Sequence, residues 1–175
     1  NSLISEDHAK LDDEELIKEL YKVNDRRIWA IAEALRRGMS YELLFDITRI
    51  DIWFISKIDN IVKLEARLKE ESLSEELLRE AKRMEFPDEL IASLSSKTKD
   101  EVKKLRHDYG IRAAYKMVDT CAAEFSAQTA YYYSCFDGYN EVETKSDKKK
   151  ILVLGSGPIR IGQGIEFDFC SVHWH

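Results

Sequence analysis

The residues with the most chemical potential lie late in the chain, where Gly155, Gly157 and Gly162 follow the apolar run Ile151-Leu152-Val153-Leu154. A strand running into glycines can bring backbone close to a phosphate at a helix start, which is the physics of the dinucleotide-binding fingerprint. The spacing here is G-x-G-x(4)-G rather than G-x-G-x-x-G, and Pro158 removes a backbone donor where an N–H would serve an anion. Phosphate binding and a structural tight turn both remain open, with the turn ahead. Glu166 and Asp168 could act as paired carboxylates. No basic residue, histidine or metal ligand stands at a supporting position, so a charge effect at a helix start accounts for them more simply. The histidines at 8, 107, 173 and 175 are scattered, and the last two are only two apart, which favours solvated rings over a metal site. Cys121 has no histidine or basic neighbour in sequence to activate it, and reads as a structural thiol. The Trp53-Phe54 pair lies in an apolar helical stretch and reads as core or interface rather than a ligand box.

These groups must be held by elements that the composition limits. A chain of 175 residues supports one sizeable core and an appendage rather than two complete domains. With 44% hydrophobic residues, two prolines and seven glycines it should fold. A net charge of -6 spread over 34% charged residues gives no overall basic field, which disfavours nucleic acid and anionic lipid as partners. Three cysteines without metal-ligand or redox spacing point to free thiols in a reducing compartment. No apolar run approaches the ~20 residues that span a bilayer, and the polar opening from Asn1 to Glu15 is unlike a signal peptide. The expected location is the cytoplasm, with no membrane contact.

Apolar residues recur at helical spacing from Asp12 to Tyr109, divided by capping residues. Asp12 with Glu15 predicts a capping box before Leu16, Leu20 and Val23; Asp25 is expected to open the next helix, which Gly38 ends. Ser40 should cap a short helix with Leu43, Leu44 and Ile47, and Thr48 the longest one, running through Trp53, Phe54, Ile58, Ile61, Val62, Glu65 and Leu68 as a spine. Ser74, Pro87 in a first turn, and Thr98 with Glu101 begin three more, the last closed by Gly110. Beyond it Tyr115, Met117, Val118, Thr120 and Tyr131-Tyr132-Tyr133 with Phe136 are strand-forming types, and the stretch from Ala122 to Ala130 is helix or loop. A polar run ending in Lys148-Lys149-Lys150 reads as a linker, and Ile151 to Leu154 as a buried parallel strand. The expectation is a mainly α chain: a helical domain over 1–140, a linker over 141–150, and a truncated strand-loop beginning of an α/β domain over 151–175.

The helix pair Pro87–Leu94 and Thr98–Tyr109 has the size of a helix-turn-helix, with Lys99, Lys103, Lys104 and Arg106 on its second member. Asp100, Glu101 and Asp108 on the same helix cancel much of that charge where phosphates would need neutralising. A nucleic-acid module and a free-standing helical adaptor remain as alternatives, and neither gives a reason for the glycine loop.

Two long stretches decide between them. Tyr115-Lys116-Met117-Val118-Asp119-Thr120-Cys121-Ala122-Ala123-Glu124-Phe125, with Tyr131-Tyr132-Tyr133-Ser134 after it, resembles the segment closing the oligomerization domain in the carbamoyl-phosphate synthetase large-subunit family. The run from Gly155 to Asp168, Gly-Ser-Gly-Pro-Ile-Arg-Ile-Gly-Gln-Gly-Ile-Glu-Phe-Asp, resembles that family's opening signature for its second synthetase half, an α/β pre-ATP-grasp domain. Arg27-Ile28-Trp29, Ala34-Leu35-Arg36-Arg37-Gly38, Thr48 to Phe54 and Lys103-Lys104-Leu105-Arg106 extend the likeness over nearly the whole chain. Two departures stand out: Glu85-Phe86-Pro87 where the family usually has Gly-Phe-Ser, and Ala113-Ala114 where it often has proline. The resemblance implies a fragment of a glutamine-dependent, ATP-consuming ligase of pyrimidine and arginine biosynthesis. Such an enzyme uses ATP, Mg2+ (or Mn2+) and K+, and a glutaminase that is a separate subunit or a fused domain. The fragment itself would hold no catalytic residue, cofactor or metal, and would serve self-association and connect the two halves. By the same resemblance Arg160, Gly164 and Glu166 line a tunnel for carbamate.

Overall fold

The structure is a computed structural model, and residues 2–126, 131–142 and 149 are described. The glycine loop, with Arg160, Gly164 and Glu166, lies outside the described residues, as does the strand expected at 151–154. The chain divides into a unit of residues 1–142 and a second of residues 143–175.

The first unit is built of short helices: α1 (Glu6–Ala9), α2 (Asp13–Tyr21), α3 (Arg27–Arg36), α4 (Tyr41–Thr48), α5 (Ile52–Glu70), α6 (Glu75–Arg83), α7 (Asp88–Leu94) and α8 (Lys99–Asp108). A two-stranded antiparallel ribbon follows, β1 (Ala114–Met117) and β2 (Tyr132–Cys135), with Lys116 opposite Tyr133. Most ends are set by local chemistry. The Asp12 side chain accepts the Glu15 N–H at 2.8 Å while Glu15 accepts the Asp12 N–H at 3.1 Å, a reciprocal capping box repeated by Thr98 and Glu101. Ser40 and Ser74 cap α4 and α6 by accepting the N–H groups of Leu43 and Leu77, each at 3.2 Å. Gly38 and Gly110 follow α3 and α8 at φ +79° and +65°, conformations that cost glycine little.

The expected boundaries need correction in several places. Asp25 does not cap α3; the Asn24 side chain instead accepts the Arg26 N–H at 3.0 Å, and α3 begins two residues after Asp25 without a side-chain cap. Thr48 does not start the long helix but ends α4, its hydroxyl donating back to the Leu44 carbonyl at 2.6 Å. Asp51 caps α5 instead, accepting the Trp53 N–H at 2.8 Å. Arg49, at φ +58°, makes the left-handed turn that separates the two helices. Pro87 occupies the N-cap of α7 rather than its first turn, and Val118 and Thr120 fall beyond the end of β1. A short opening helix capped by Ser5 was not foreseen.

Two hydrophobic clusters share α5, which is why the sequence reads as having a spine. This helix contributes Ile55 and Val62 to a cluster with Leu16 and Leu20 of α2, Ala30, Ile31 and Ala34 of α3, and Leu44 of α4. Leu64 and Leu68, toward its C-terminal end, join another with Leu77, Leu78 and Ala81 of α6, Ile91 of α7 and Val102 of α8. Burying each of the leucine, isoleucine and valine side chains contributes about 1.5–3 kcal/mol, against about 1 kcal/mol for a typical cap. Phe136, just past β2, packs against the second cluster and ties the ribbon to the helices. Among the described residues no helix is long and apolar enough to cross a membrane.

Candidate association surface

The corner between α4 and α5 carries more apolar surface than the core uses. Leu44 and Ile47 turn inward from α4, and Ile55 from α5. Leu43 and Phe45 on α4, and Ile52, Trp53 and Phe54 in the first turn of α5, are left exposed. Trp53 and Phe54 are each 58% exposed, so of the two readings of this pair the structure excludes the core. Their rings meet edge to face, with centroids 4.9 Å apart and planes at 88°. The Lys57 ammonium lies 5.0 Å from the centre of the Trp53 ring, and the Arg49 guanidinium 5.8 Å from that of Phe45. The result is a group of preorganised aromatic side chains edged by cations. Aromatic rings and arginine are the residue types that carry most of the binding energy at protein interfaces, and contiguous exposed apolar patches mark such surfaces.

The sequence groups Leu43, Leu44 and Ile47 together on α4 and does not single out Phe45 or Ile52; the structure leaves Leu43, Phe45 and Ile52 exposed. A signal was present. Tyr41–Thr48 carries Leu43, Leu44, Phe45 and Ile47, which is too wide an apolar arc for a helix with one buried face.

The remaining charged side chains near the clusters pair with each other, although Glu65 Oε1 and Arg106 Nε are buried without a hydrogen-bond partner among the described residues. Glu65, almost wholly buried, accepts from Arg36 at 2.7 and 3.2 Å, and Arg36 also donates to the Leu3 carbonyl at 3.0 Å. Asp59 accepts from the Tyr41 hydroxyl and lies 2.7 Å from the Lys63 ammonium. Those bonds raise the Tyr41 and Lys63 pKa values, because each group must give up a proton that the carboxylate holds. Lys82, buried at 5% exposure, reaches Asp88 at 2.8 Å and the Phe86 carbonyl at 2.7 Å. Arg106 meets the other oxygen of Asp88 at 3.2 Å, and both cations lie over the Phe136 ring, at 4.5 and 5.4 Å. On the helix weighed as a nucleic-acid reader, Lys99 pairs with Glu89 and Arg106 with Asp88, so half of its basic set is committed internally.

Among the described residues no group of histidine, cysteine, aspartate and glutamate could hold a metal ion. His8 is buried and bonded to Ser5 at 2.8 Å, whereas His107 is exposed on α8. Cys121 and Cys135 are free thiols, and Cys121 is half-buried in a turn, its N–H donating to Asp119 at 2.9 Å.

Residues 1–110 match the family model for the carbamoyl-phosphate synthetase large chain, oligomerisation domain. Residues 147–175 match that for the carbamoyl phosphate synthase preATP-grasp domain. The carbamoyl phosphate synthase large chain of Agathobacter rectalis is 60% identical over 99% of this chain and 16% of its own length. That of Lachnoclostridium phytofermentans is 62% identical over 95% of this chain, again 16% of its own length. The carbamoyl phosphate synthase large chain of Methanosarcina barkeri is 53% identical over 92% of this chain and 15% of its own length. The chain thus spans about one sixth of the curated relatives it matches. With the oligomerisation-domain match covering well over half of its residues, this chain belongs to the carbamoyl-phosphate synthetase large-chain family.

Proposed function

We propose that the chain is the association and connecting region of a large chain that makes carbamoyl phosphate from bicarbonate, glutamine-derived ammonia and ATP. In that setting residues 1–140 form the helical association domain, 141–150 the linker, and 151–175 the beginning of the second synthetase half. The matched regions at 1–110 and 147–175 support this order. ATP, Mg2+ (or Mn2+), K+ and the glutaminase subunit or domain belong to the parent enzyme, whose expected location is the cytoplasm. Arg160, Gly164 and Glu166 line the carbamate passage, a role supported by the Gly155–Asp168 motif.

Self-association through α4 and α5 is the part of this role that the chain can perform by itself. The observation that carries it is the exposed edge-to-face pair Trp53 and Phe54 at the start of α5, with Ile52 on the same turn and Leu43 and Phe45 exposed on the neighbouring α4. A symmetric dimer would place each patch against its copy, the commonest closed arrangement. Size-exclusion chromatography with light scattering over a wide concentration range tests it. The expected result is a mass that rises toward the dimer, and a monomer throughout would overturn the reading.

A further inference from the structure

The ribbon β1–β2 has two outer edges, and the chain treats them differently. The Val118 N–H donates to the Tyr131 carbonyl at 2.9 Å, which sets the phase of the ladder. With the register Lys116 to Tyr133 and Ala114 to Cys135, those residues turn their backbone groups inward, and Tyr115, Met117, Tyr132 and Ser134 turn theirs outward. On the β1 edge three of the four outward groups are covered by the chain that follows β2. The Tyr115 N–H donates to Asn140 Oδ1 at 3.1 Å, the Met117 N–H to Glu141 Oε2 at 2.8 Å, and the Tyr115 carbonyl accepts the Glu141 N–H at 2.8 Å.

On the β2 edge the backbone groups of Tyr132 and Ser134 have no hydrogen-bond partner among the described residues. Natural edge strands deter pairing with charges, proline or bulges, and β2 reads Tyr-Tyr-Ser-Cys, with no charge and no proline. A two-stranded ribbon is also marginal by itself in water and gains from a third strand.

We propose that the open edge of β2 pairs antiparallel with β2 of a second copy of this chain, about a twofold axis passing through Tyr133. The outward groups at 132 and 134 are disposed symmetrically about 133. In this register Tyr132 of each copy exchanges both backbone bonds with Ser134 of the other, and every outward group of the edge is used. Pairing centred on Tyr132 or on Ser134 would leave part of the edge unpaired. The strand is neutral, so two copies meet without repulsion, and Tyr133 faces its own counterpart across a non-hydrogen-bonded pair. This interface is separate from the α4–α5 surface and holds whether or not that surface associates.

Cross-linking tests it. Directly opposed residues of such a pair have Cα atoms about 4.5 Å apart, within disulfide reach. Tyr133→Cys is placed in a chain whose Cys121, Cys135 and Cys170 are serine, with and without Trp53→Ser and Phe54→Ser, and oxidised with diamide. Tyr115→Cys is the control, because Tyr115 and Tyr133 are both 50% exposed but Tyr115 lies on the covered edge. Covalent dimer should form at least about tenfold faster from Tyr133→Cys in both backgrounds, since pairing raises the effective thiol concentration. Adding Ser134→Pro removes one outward N–H without touching the β1 ladder, and should return the rate to that of the control. Equal rates for the two cysteines, in proteins with matching circular dichroism, would overturn the proposal. So would a Tyr133→Cys rate unaffected by the proline.

Discussion

Glu85 follows α6 in a conformation that suits another residue. It sits at φ +60°, its N–H donating to the Lys82 carbonyl at 2.9 Å while the Phe86 N–H donates to the Ala81 carbonyl at 3.0 Å. This is the same paired closure that Gly38 makes after α3 and Gly110 after α8. The left-handed region costs an L-residue about 1–2 kcal/mol, and glycine returns about 0.4–1 kcal/mol of that through its greater freedom in the unfolded chain. The Glu85 side chain is exposed and makes no hydrogen bond or ion pair among the described residues. Glu85→Gly should therefore stabilise the unit by about 0.5–1 kcal/mol, which raises Tm by about 2–4 °C in a domain of this size. Gly38→Ala is the mirror experiment. An added Cβ there meets nothing within 4 Å, so only the backbone term acts, and Tm should fall by a similar amount. Thermal melts followed by far-UV circular dichroism measure both. A neutral or destabilising Glu85→Gly alongside a destabilising Gly38→Ala would mean that the left-handed conformation at 85 carries no cost that glycine relieves.

Asp88→Ala should lower stability by about 3 kcal/mol or more, because it leaves the buried Lys82 without its counter-charge and Arg106 with one partner fewer; urea unfolding reads this directly. Glu19, Glu89 and Glu101 have folded pKa values lowered by Lys22, by Lys99 and by the Thr98 N–H. Their contribution is fully present above the unfolded value of about 4.3 and is lost as pH falls through the lower folded values, so Tm should decline below about pH 4.5, less steeply in Glu101→Gln. On the proposed tunnel role, Gly164→Phe in a full-length enzyme should leave glutamine hydrolysis and bicarbonate-dependent ATP turnover working while carbamoyl phosphate output falls steeply, because a ring would fill space that a passing ligand would need; Glu166→Ala should do less. A correctly folded Gly164→Phe enzyme with unchanged output would remove that role from the loop.

The parts of the fold that were legible in sequence are those fixed within one turn of chain. Capping boxes at Asp12 and Thr98 depend on residues three apart, and Gly38 and Gly110 mark helix ends by backbone freedom alone. Where two capping residues stand close together, the choice belongs to the turn between them. Arg49 adopts the left-handed conformation, so α4 runs through Thr48 and the cap of α5 moves on to Asp51. The Lys82–Asp88–Arg106 group was invisible because it joins three helices and a ribbon aromatic, and no spacing rule spans them. Trp53 and Phe54 were legible as apolar but not as exposed. That distinction is made by Ile55, which takes the inward position on the first turns of α5 and leaves its two predecessors outside.

Whether the α4–α5 corner joins copies of the chain is decided by sedimentation equilibrium of the Trp53→Ser, Phe54→Ser double variant beside the unaltered protein. Both rings are more than half exposed, so Tm should hold within about 2 °C. The unaltered chain should associate with rising concentration, and the variant at least about tenfold more weakly, as loss of central aromatic side chains does at protein interfaces. Equal association constants for the two proteins, with equal stability, would contradict it.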